Sequence, residues 1–364
     1  MDGFKACFEG LADPRTGNAG RHKLIDILMI ALCTVLCGGK SAVDMAEFAE
    51  AKLEFLGDFL ELEHGPPSHD TFSRVLRLLD PAQFGACFRR FMAEFAAASE
   101  GVIAIDGKVS RRSFDRASGK SALHMVSAWG CDQRLVLAQV ATDEKSNEIT
   151  AVPKLLEMLS LKGTIVTVDA LNCQREIARQ IVDQGGDYTL ALKGNQGSLH
   201  SDVRLFLNDP HAQTQTSAPL VEADHGRIET RVATVSTAIA WLQERHQWPG
   251  LAAIGKVCRT RETGGKTTQE TAYYLLSSAL SAERFAEVVR AHWGIENRLH
   301  WCLDVVLNED QARARMDNAP ENLAVLRHLA LNIMRKDTSK GSLRVKFNRA
   351  AWKDDFLAQL LTLG

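Results

Sequence analysis

Three acidic residues, Asp106, Asp169 and Glu296, are the side chains most suited to holding a cation. Asp106 lies within the apolar run Val-Ile-Ala-Ile-Asp-Gly-Lys, and Asp169 ends a second run, Thr-Ile-Val-Thr-Val-Asp-Ala. Because burying an uncompensated ion is strongly disfavoured, a bound cation would explain the carboxylate of Asp106. Each aspartate also has a simpler explanation, since Asp106 could open a turn at Gly107 and Asp169 could cap the following helix. The metal hypothesis therefore requires that the two residues lie side by side.

Three acids brought together would suit the breaking and rejoining of phosphodiester bonds. This chemistry needs a nucleophile, charge neutralisation on the phosphate and help for the departing alkoxide, and two Mg²⁺ ions about 4 Å apart supply all three. Such ions prefer carboxylate oxygens and keep coordination positions for water and phosphate. We therefore expect two Mg²⁺ ions at Asp106, Asp169 and Glu296, with Mn²⁺ able to replace Mg²⁺.

The third acid has to be chosen from several on one helical segment. The stretch from Arg290 to Asp304 contains Glu296, and Glu309 and Asp310 follow it. Glu296 and Asp304 are separated by about 12 Å of helix, so both cannot easily serve one metal pair. Glu296 is the predicted third acid.

A zinc site is the alternative for the same segment. His292, Glu296 and His300 recur at a spacing that places them on one helix face. The two histidines are about 12 Å apart on a helix, which is too far for one tetrahedral ion. The rings of Trp293 and Trp301 would either pack in the core or stack on unpaired bases.

Basic and polar residues follow the first two acids and could contact phosphate. Lys108, Arg111 and Arg112 come after Asp106, whereas Lys193 and Asn195 follow the strand after Asp169. Both groups would lie beside the metals if the acids meet. The alternative is that these side chains are exposed to solvent and bind nothing. This alternative is weaker for Lys193, which ends an apolar strand.

The pattern of apolar residues indicates how these acids are positioned. The predicted order is strand Val102–Lys108, strand Ala122–Cys131, strand Leu135–Thr142, helix Thr150–Leu161, strand Thr164–Ala170, helix Gln174–Gln184 and strand Tyr188–Leu192. This βββαβαβ order is typical of an α/β, ribonuclease-H-like mixed sheet with flanking helices. In such a sheet the first and fourth strands are neighbours, so Asp106 and Asp169 would share a metal.

A β-rich insertion is predicted at about 197–280, inside the catalytic domain assigned to residues 99–364. Strand-like pieces occur at Leu220–Val235, Leu251–Arg261 and Gln269–Ser277. A long helical region begins near Ser281 and carries Glu296. The insertion would therefore separate the third acid from the first two in sequence.

Residues 1–98 are predicted to form an all-α N-terminal domain. Apolar residues recur at helical spacing through Leu24–Cys37, Met45–Phe59 and Phe84–Phe95. Residues 66–79 could form a DNA-reading helix, with Ser68 as N-cap and Arg74 and Arg77 on its outer face. A packed helix hairpin is the alternative, and the acidic excess of these residues favours it.

Composition narrows the class of protein without naming a partner. The 364 residues are 45% hydrophobic and 24% charged with a net charge of −2, so no global basic field points to nucleic acid. The apolar run Leu24–Cys37 is shorter than the roughly 20 residues of a membrane helix. The eight cysteines show no CxxC pair, so disulfides and a zinc cluster are not expected. We expect a cytoplasmic, nucleoid-associated protein.

The C-terminal stretch from Arg335 to Lys353 is the strongest local candidate for phosphate binding. Its charged residues are almost all basic. A solvated surface face is the alternative interpretation.

Several strings resemble the DDE insertion-sequence transposases related to the H-repeat-associated proteins of Rhs elements. They are Asp-Gly-Lys with Arg-Arg-Ser (106–113), His-Met-Val-Ser-Ala-Trp (124–129), Glu-Lys-Ser-Asn-Glu-Ile (144–149), Thr-Val-Asp-Ala (167–170), Asp-Tyr-Thr-Leu-Ala-Leu-Lys-Gly-Asn-Gln (187–196), His-Gly-Arg-Ile-Glu-Thr-Arg (225–231) and His-Trp-Gly-Ile-Glu-Asn (292–297). The similarity runs over nearly the whole chain.

The resemblance implies a ribonuclease-H-like catalytic domain, Mg²⁺ dependence and the acids Asp106, Asp169 and Glu296. The motif at 225–231 adds Arg227 as a DNA-contact candidate. Related transposases usually have Arg four residues before the Glu, where this chain has His292. Either His292 or nearby Arg290 could therefore contact DNA.

The leading hypothesis is a transposase that cleaves double-stranded DNA at element ends and joins the freed 3′-OH to target DNA, as a homodimer. Two alternatives remain open: an inactive, element-associated DNA-binding protein, and a ribonuclease-H-like nuclease without strand transfer. The inactive protein is the less favoured alternative because all three acids are present.

Overall fold

The computed structural model describes residues 2–16, 18–93, 101–115, 119–142, 148–224 and 226–363. The last residues of the predicted helix ending at residue 95, most of the 144–149 motif and His225 lie outside this part. Within it, no helix is long and apolar enough to cross a membrane.

All the regular secondary structure described before residue 94 is helical. The helices are α1 Asp2–Phe8, α2 Leu24–Leu36, α3 Ala42–Ala51, α4 Leu53–Gly57, α5 His69–Leu78 and α6 Pro81–Ala93. The capping box between Ser41 and Asp44 begins α3, since each side chain bonds the other residue's backbone N–H. The predicted segment Met45–Phe59 is thus divided at Lys52 into two helices.

The central part of the chain alternates strands and helices in the predicted order. The strands are β1 Gly101–Val109, β2 His124–Gly130, β3 Leu135–Thr142, β4 Thr164–Val168 and β5 Asp187–Leu192, and the helices are α7 Glu148–Glu157 and α8 Arg175–Asp183. The first three strands are antiparallel, whereas β4 is parallel to β1 and to β5. The strands run in the order β3-β2-β1-β4-β5. This arrangement makes β1 and β4 neighbours, as predicted.

The β-rich segment continues the same sheet. Its elements are α9 Gly197–Asn208, β6 Gln215–Thr216, β7 Leu220–Asp224, β8 Arg227–Ser236, α10 Ala240–His246, β9 Ala253–Thr263 and β10 Lys266–Leu276. Strand β10 pairs with β5, and β9 and β8 follow outward. The described strands therefore form one ten-stranded sheet, of which the insertion is the outer half.

The remaining chain is helical and packs on the sheet and on the N-terminal helices. Its elements are α11 Ala282–His292, a π-helical turn Ile295–His300, α12 Trp301–Val305, α13 Ala319–Lys336, α14 Leu343–Trp352 and α15 Asp354–Thr362. All side chains of α13 from Ala319 to Met334 except that of Glu321 are buried. One continuous hydrophobic core reaches from Phe4 to Leu361.

The proposed DNA-reading helix α5 contacts α13 and the residues just before it. Arg77 Nε lies 2.7 Å from Asp317 Oδ2, and Asn322 Nδ2 donates to the carbonyl oxygens of Leu76 and Leu79 at 2.9 Å each. Arg77 is thus occupied, while Arg74 is exposed. These contacts favour the packed helix hairpin over the DNA-reading helix.

Part of the basic C-terminal stretch is used within the fold. Lys346 is buried and pairs with Asp337 at 3.0 Å, and Arg335 lies 4.4 Å from the ring of Trp129. Arg349 donates to Ser339 Oγ at 2.8 Å. These three charges hold α13 and α14 in place, whereas Lys340, Arg344 and Lys353 are exposed and remain candidates for phosphate contact.

Candidate active site

The parallel pairing of β1 and β4 places Asp106 beside Asp169. Ile105 lies opposite Val168 in the register, and each aspartate is the next residue along its strand. Strand β5 runs parallel to β4, so Lys193 leaves the sheet at the same edge. The backbone register alone therefore brings together the first two predicted acids and Lys193.

The electrostatics of Asp106 indicate a concentration of negative charge. Its side chain is 21% exposed. Burial and, to a smaller extent, the nearby carboxylates of Asp169, Glu148 and Glu296 together raise the pKa of Asp106 to about 7, against a backbone hydrogen bond from Gly107. The three predicted acids are thus close enough to interact, together with a fourth, Glu148.

Glu296 lies on the π-helical turn between α11 and α12. Ile295 and Leu299 on this turn are fully buried, whereas Glu296 is exposed. Single π turns are rare and occur frequently at functional sites, because the extra residue redirects the side chains around it. Here the buried residues anchor the turn and leave Glu296 facing solvent.

The competing acids are engaged elsewhere. Lys108 Nζ lies 2.7 Å from Asp304 Oδ1, 3.1 Å from Glu309 Oε2 and 3.3 Å from Asp310 Oδ1. Glu309 also contacts Arg327 at 3.6 Å. These three acids surround a cation that the protein itself supplies, which favours Glu296 as the third acid.

Lys108 was predicted to meet phosphate, and its surroundings argue against this. Its side chain is only 10% exposed and lies within the acid cluster. A buried ammonium is stable when it is paired in this way. Lys108 therefore holds the segment after α12 against β1.

The other predicted contacts divide into open and occupied positions. Arg111 is 79% exposed and lies 3.3 Å from Asp310, and Arg112 and Lys193 are exposed. Asn195 Nδ2 donates to the carbonyl oxygen of Ala170 at 2.8 Å, so it fastens the end of β5 to the loop after Asp169. Arg111, Arg112 and Lys193 are free to meet a phosphate, whereas Asn195 is held.

The two histidines do not form the alternative zinc site. His292 Nδ1 lies 2.9 Å from Thr167 Oγ1, and His300 Nδ1 lies 3.8 Å from Asp106 Oδ2. Burial lowers the pKa of each to about 4, so both are neutral near pH 7. Among the residues described, no group of three His, Cys, Asp or Glu side chains, the three predicted acids included, is already arranged to hold a metal ion. A neutral His292 packed on β4 also makes a poor phosphate contact.

The donor set nevertheless fits a hard divalent cation. Two carboxylates lie on adjacent strands with a third beside them, and their mutual repulsion is visible in the raised pKa of Asp106. A cation between them would offset that repulsion, and oxygen donors are those that Mg²⁺ prefers.

Glu296 also lines a cleft of about 270 Å³ between α11 and the outer sheet. Its lining includes the arginines Arg227, Arg231, Arg259, Arg261 and Arg290. Trp293, 43% exposed, lies on its wall. Sequence reasoning found only Arg227 and Arg290. The alternation of Arg with Glu or Thr in β8 and β9 could have revealed the rest, since alternate residues share a strand face.

The arginines of the cleft are paired with a smaller number of glutamates. Arg231 and Arg290 both contact Glu222, at 2.5 and 2.9 Å. Arg227 and Arg261 both approach Glu229, at 3.8 and 3.4 Å. Arg259 pairs with Glu270, so the five arginines share three glutamates and leave this wall with an excess of positive charge.

A second group that the sequence did not single out lies behind the aspartates. Glu148 is buried, with Oε1 2.7 Å from His124 Nε2, and Asn172 Nδ2 donates to both Glu148 and Asp169. The signal in the sequence was weak: Asn172 follows Asp169 by three residues, a spacing at which an aspartate side chain can accept a backbone N–H near the start of a helix.

Comparison with protein families gives two matches that meet near residue 95. The transposase DDE domain matches residues 97–333, and a DDE_Tnp_1-associated region matches residues 5–92. The first spans β1 through most of α13 and includes all three predicted acids.

The similar proteins point the same way. The chain is 40% identical over 349 residues to the "H repeat-associated putative transposase YhhI" of Escherichia coli K12, covering 93% of this chain and 92% of that protein. It is 38% identical to the "Putative transposase YncI" of Escherichia coli O157:H7, covering 96% and 92%. A piggyBac transposase synaptic complex with hairpin DNA is 10% identical with a TM-score of 0.45, covering 99% of this chain and 77% of that one. On the domain match and the two close relatives, this chain belongs to the DDE transposase family and is a DNA transposase.

Proposed function

We propose that this transposase cleaves double-stranded DNA at element ends and joins the 3′-OH to target DNA through Asp106, Asp169 and Glu296. The observation that carries the proposal is the adjacency of Asp106 and Asp169 on β1 and β4. Glu296 lies near Asp106 on one side and lines an arginine-rich cleft on the other. Catalytic acids next to a wall of positive charge suit a polyanionic substrate.

The three carboxylates would hold divalent cations, which DDE transposase domains generally use, and we propose Mg²⁺, with Mn²⁺ as a substitute. When bound, such ions make a nucleophile from water or a 3′-OH and stabilise the leaving oxygen. The buried position of Asp106 limits competing water around the reacting phosphate. Register between the two strands fixes the spacing of Asp106 and Asp169, so these residues need little reorganisation.

The surrounding basic residues would position the DNA. Arg227, Arg259 and Arg290 on the cleft wall offer guanidinium groups that match phosphate geometry in a bidentate manner. Exposed Lys193, Arg111 and Arg112 lie at the other margins of the site. We propose that the DNA backbone passes between these two groups, and that a homodimer brings two ends together.

A supercoiled-plasmid assay in Mg²⁺ tests this function. Asp106→Asn and Asp169→Asn should abolish nicking while binding of end DNA is kept, because the fold keeps an isosteric side chain. Asp183→Asn, on the exposed face of α8, is the matched control and should cleave normally. A nicking rate of wild-type size in either active-site variant refutes the proposal.

Precleaved ends test the strand-transfer step. The wild-type protein should insert them into a target plasmid. Cleavage without insertion would identify a nuclease, and neither activity in Mg²⁺ or Mn²⁺ would identify an inactive DNA-binding protein.

A further inference from the structure

Asn172 contacts Asp169 through two separate donors. Its backbone N–H donates to Asp169 Oδ1 at 3.1 Å, and its side-chain Nδ2 donates to the same oxygen at 2.9 Å. One oxygen of Asp169 is thus fixed by two hydrogen bonds. Rotation of that carboxylate would break both.

The same amide also reaches a second carboxylate. Asn172 Nδ2 donates to Glu148 Oε2 at 3.0 Å. Since an amide nitrogen carries two hydrogens, each carboxylate receives one. The reversed amide would place Oδ1 against two carboxylates, so the charges fix the orientation of Asn172.

Glu148 is itself enclosed by the fold. It is 1% exposed at the start of α7, and its other oxygen, Oε1, lies 2.7 Å from His124 Nε2 on β2. A carboxylate buried to this extent is costly unless it has partners. Asn172 donates a hydrogen bond to Oε2, and the ring of His124 lies in contact with Oε1.

Gly107 makes room for this pair directly beside Asp106. A Cβ at Gly107 would lie 2.2 Å from His124 Nε2 and 2.4 Å from Glu148 Oε1, and both groups are enclosed in the core. The backbone therefore approaches the Glu148 carboxylate at Gly107, the residue after Asp106. Asn172 connects the same carboxylate to Asp169. The network of His124, Glu148 and Asn172 touches both acid-bearing strands.

We infer that Asn172, held by Glu148 and His124, is a positioning residue that aims the carboxylate of Asp169 at the divalent cation. This inference rests on the proposed function. The charge of Glu148 raises the pKa of Asp106 and therefore adds repulsion to the site. A role in orienting Asp169 accounts for the presence of Glu148 despite this cost. Outer partners of metal-binding carboxylates commonly fix their orientation in this way.

Titration of the full-length protein with Mn²⁺ alone, followed by the electron paramagnetic resonance signal of free Mn²⁺, tests the inference without DNA. Asn172→Ala should raise the Kd for Mn²⁺ by about ten- to a hundredfold, the range found for outer-shell partners. Asn172→Ser keeps one donor and should give an intermediate Kd. Cleavage should require correspondingly more Mg²⁺.

Asn322→Ala is the matched control. Asn322 is equally buried and its amide also donates two hydrogen bonds, but to backbone carbonyls of the N-terminal helices. This variant should lower the Tm and leave the Kd for Mn²⁺ unchanged. If Asn172→Ala does not fold, the Kd of Asn172→Ser decides the question.

The outcomes separate the two proposals. A wild-type Kd in a folded Asn172 variant, with Asp169→Asn defective in Mn²⁺ binding and cleavage, overturns the positioning role alone. An Asp169→Asn variant that binds Mn²⁺ and cleaves like wild type overturns the proposed function, and the positioning role with it. A raised Kd in the Asn172 variants and a normal Kd in Asn322→Ala supports the inference.

Discussion

The two sides of the candidate site are built differently. Asp106 and Asp169 lie in the inner sheet, where parallel pairing of β1 and β4 sets their spacing and the network around Glu148 encloses them. Glu296 lies on a solvent-facing π-helical turn against the outer sheet. The strand side is fixed by backbone hydrogen bonds, whereas the helical side depends on packing between distant segments. Four predictions test this contrast.

The largest effect is expected for the third acid. Glu296→Gln should reduce the cleavage rate by more than the roughly hundredfold that outer-shell changes produce, because it removes a charge from the metal site. Plasmid nicking measures it. Asp304→Asn, two helical turns away and paired with Lys108, should keep the rate within about tenfold of wild type. The reverse ranking of these two variants would move the third acid to Asp304.

Replacing Lys108, whose ammonium group anchors the helical side, should lower the free energy of unfolding. Lys108→Met leaves Asp304, Glu309 and Asp310 without their shared partner, and breaking a buried pair costs about 3–5 kcal/mol. Urea unfolding measures the loss. Arg111→Met, at an exposed position beside the same acids, should change the free energy of unfolding by less than about 0.5 kcal/mol. Equal effects of the two substitutions would contradict the structural role of Lys108.

The strand side should show a distinctive pH dependence when no metal is bound. Because the pKa of Asp106 is raised to about 7, the folded protein binds a proton there that the unfolded chain releases near pH 4. The stabilisation is therefore complete below about pH 4 and is lost as the pH rises through 7.

Asp106→Asn should remove this dependence in EDTA. The variant should gain about 1–3 kcal/mol relative to wild type between pH 4 and 8, since each pKa unit corresponds to about 1.4 kcal/mol. Urea unfolding at several pH values measures it, with Asp183→Asn as control. A difference between variant and wild type that does not change with pH would count against the buried charge cluster.

The smallest effect is expected at the cleft wall. Arg290→Ala should weaken binding of end DNA about fivefold and reduce the salt dependence by about one phosphate contact. Fluorescence anisotropy at several salt concentrations measures both. Arg284→Ala is the control on the same helix, where Arg284 pairs with Glu287 at 2.9 Å. Equal losses in both variants would show a general charge effect instead of a specific contact.

The inner sheet was predictable because its signals are local. Strand Leu135–Thr142 has the predicted bounds, and the other inner strands differ at their ends by a few residues. Apolar runs with a period typical of strands and short polar turns were enough to give the order, and the order made β1 and β4 neighbours. The placement of Asp106 beside Asp169 follows from that alone.

Lys108 and His292 were misleading for one shared reason. A charge or an imidazole in the sequence does not reveal its partner, and here the partners lie far along the chain. Lys108 pairs with residues about two hundred positions away, and His292 contacts Thr167. Desolvation and ion pairing depend on these distant neighbours, so the pattern could not separate a phosphate contact from a structural pair.

The sequence by itself determined the family through its motifs. It also determined the strand order and the adjacency of Asp106 and Asp169, because these depend on local periodicity and on side chains next to one another in a strand. Only the tertiary structure showed which acids of the helical segment are paired within the fold, since Lys108 engages Asp304, Glu309 and Asp310. It also brought Asn172 between Glu148 and Asp169 and gathered the arginines of β8, β9 and α11 around Glu296. Contacts between remote segments are set by packing, which no local pattern records.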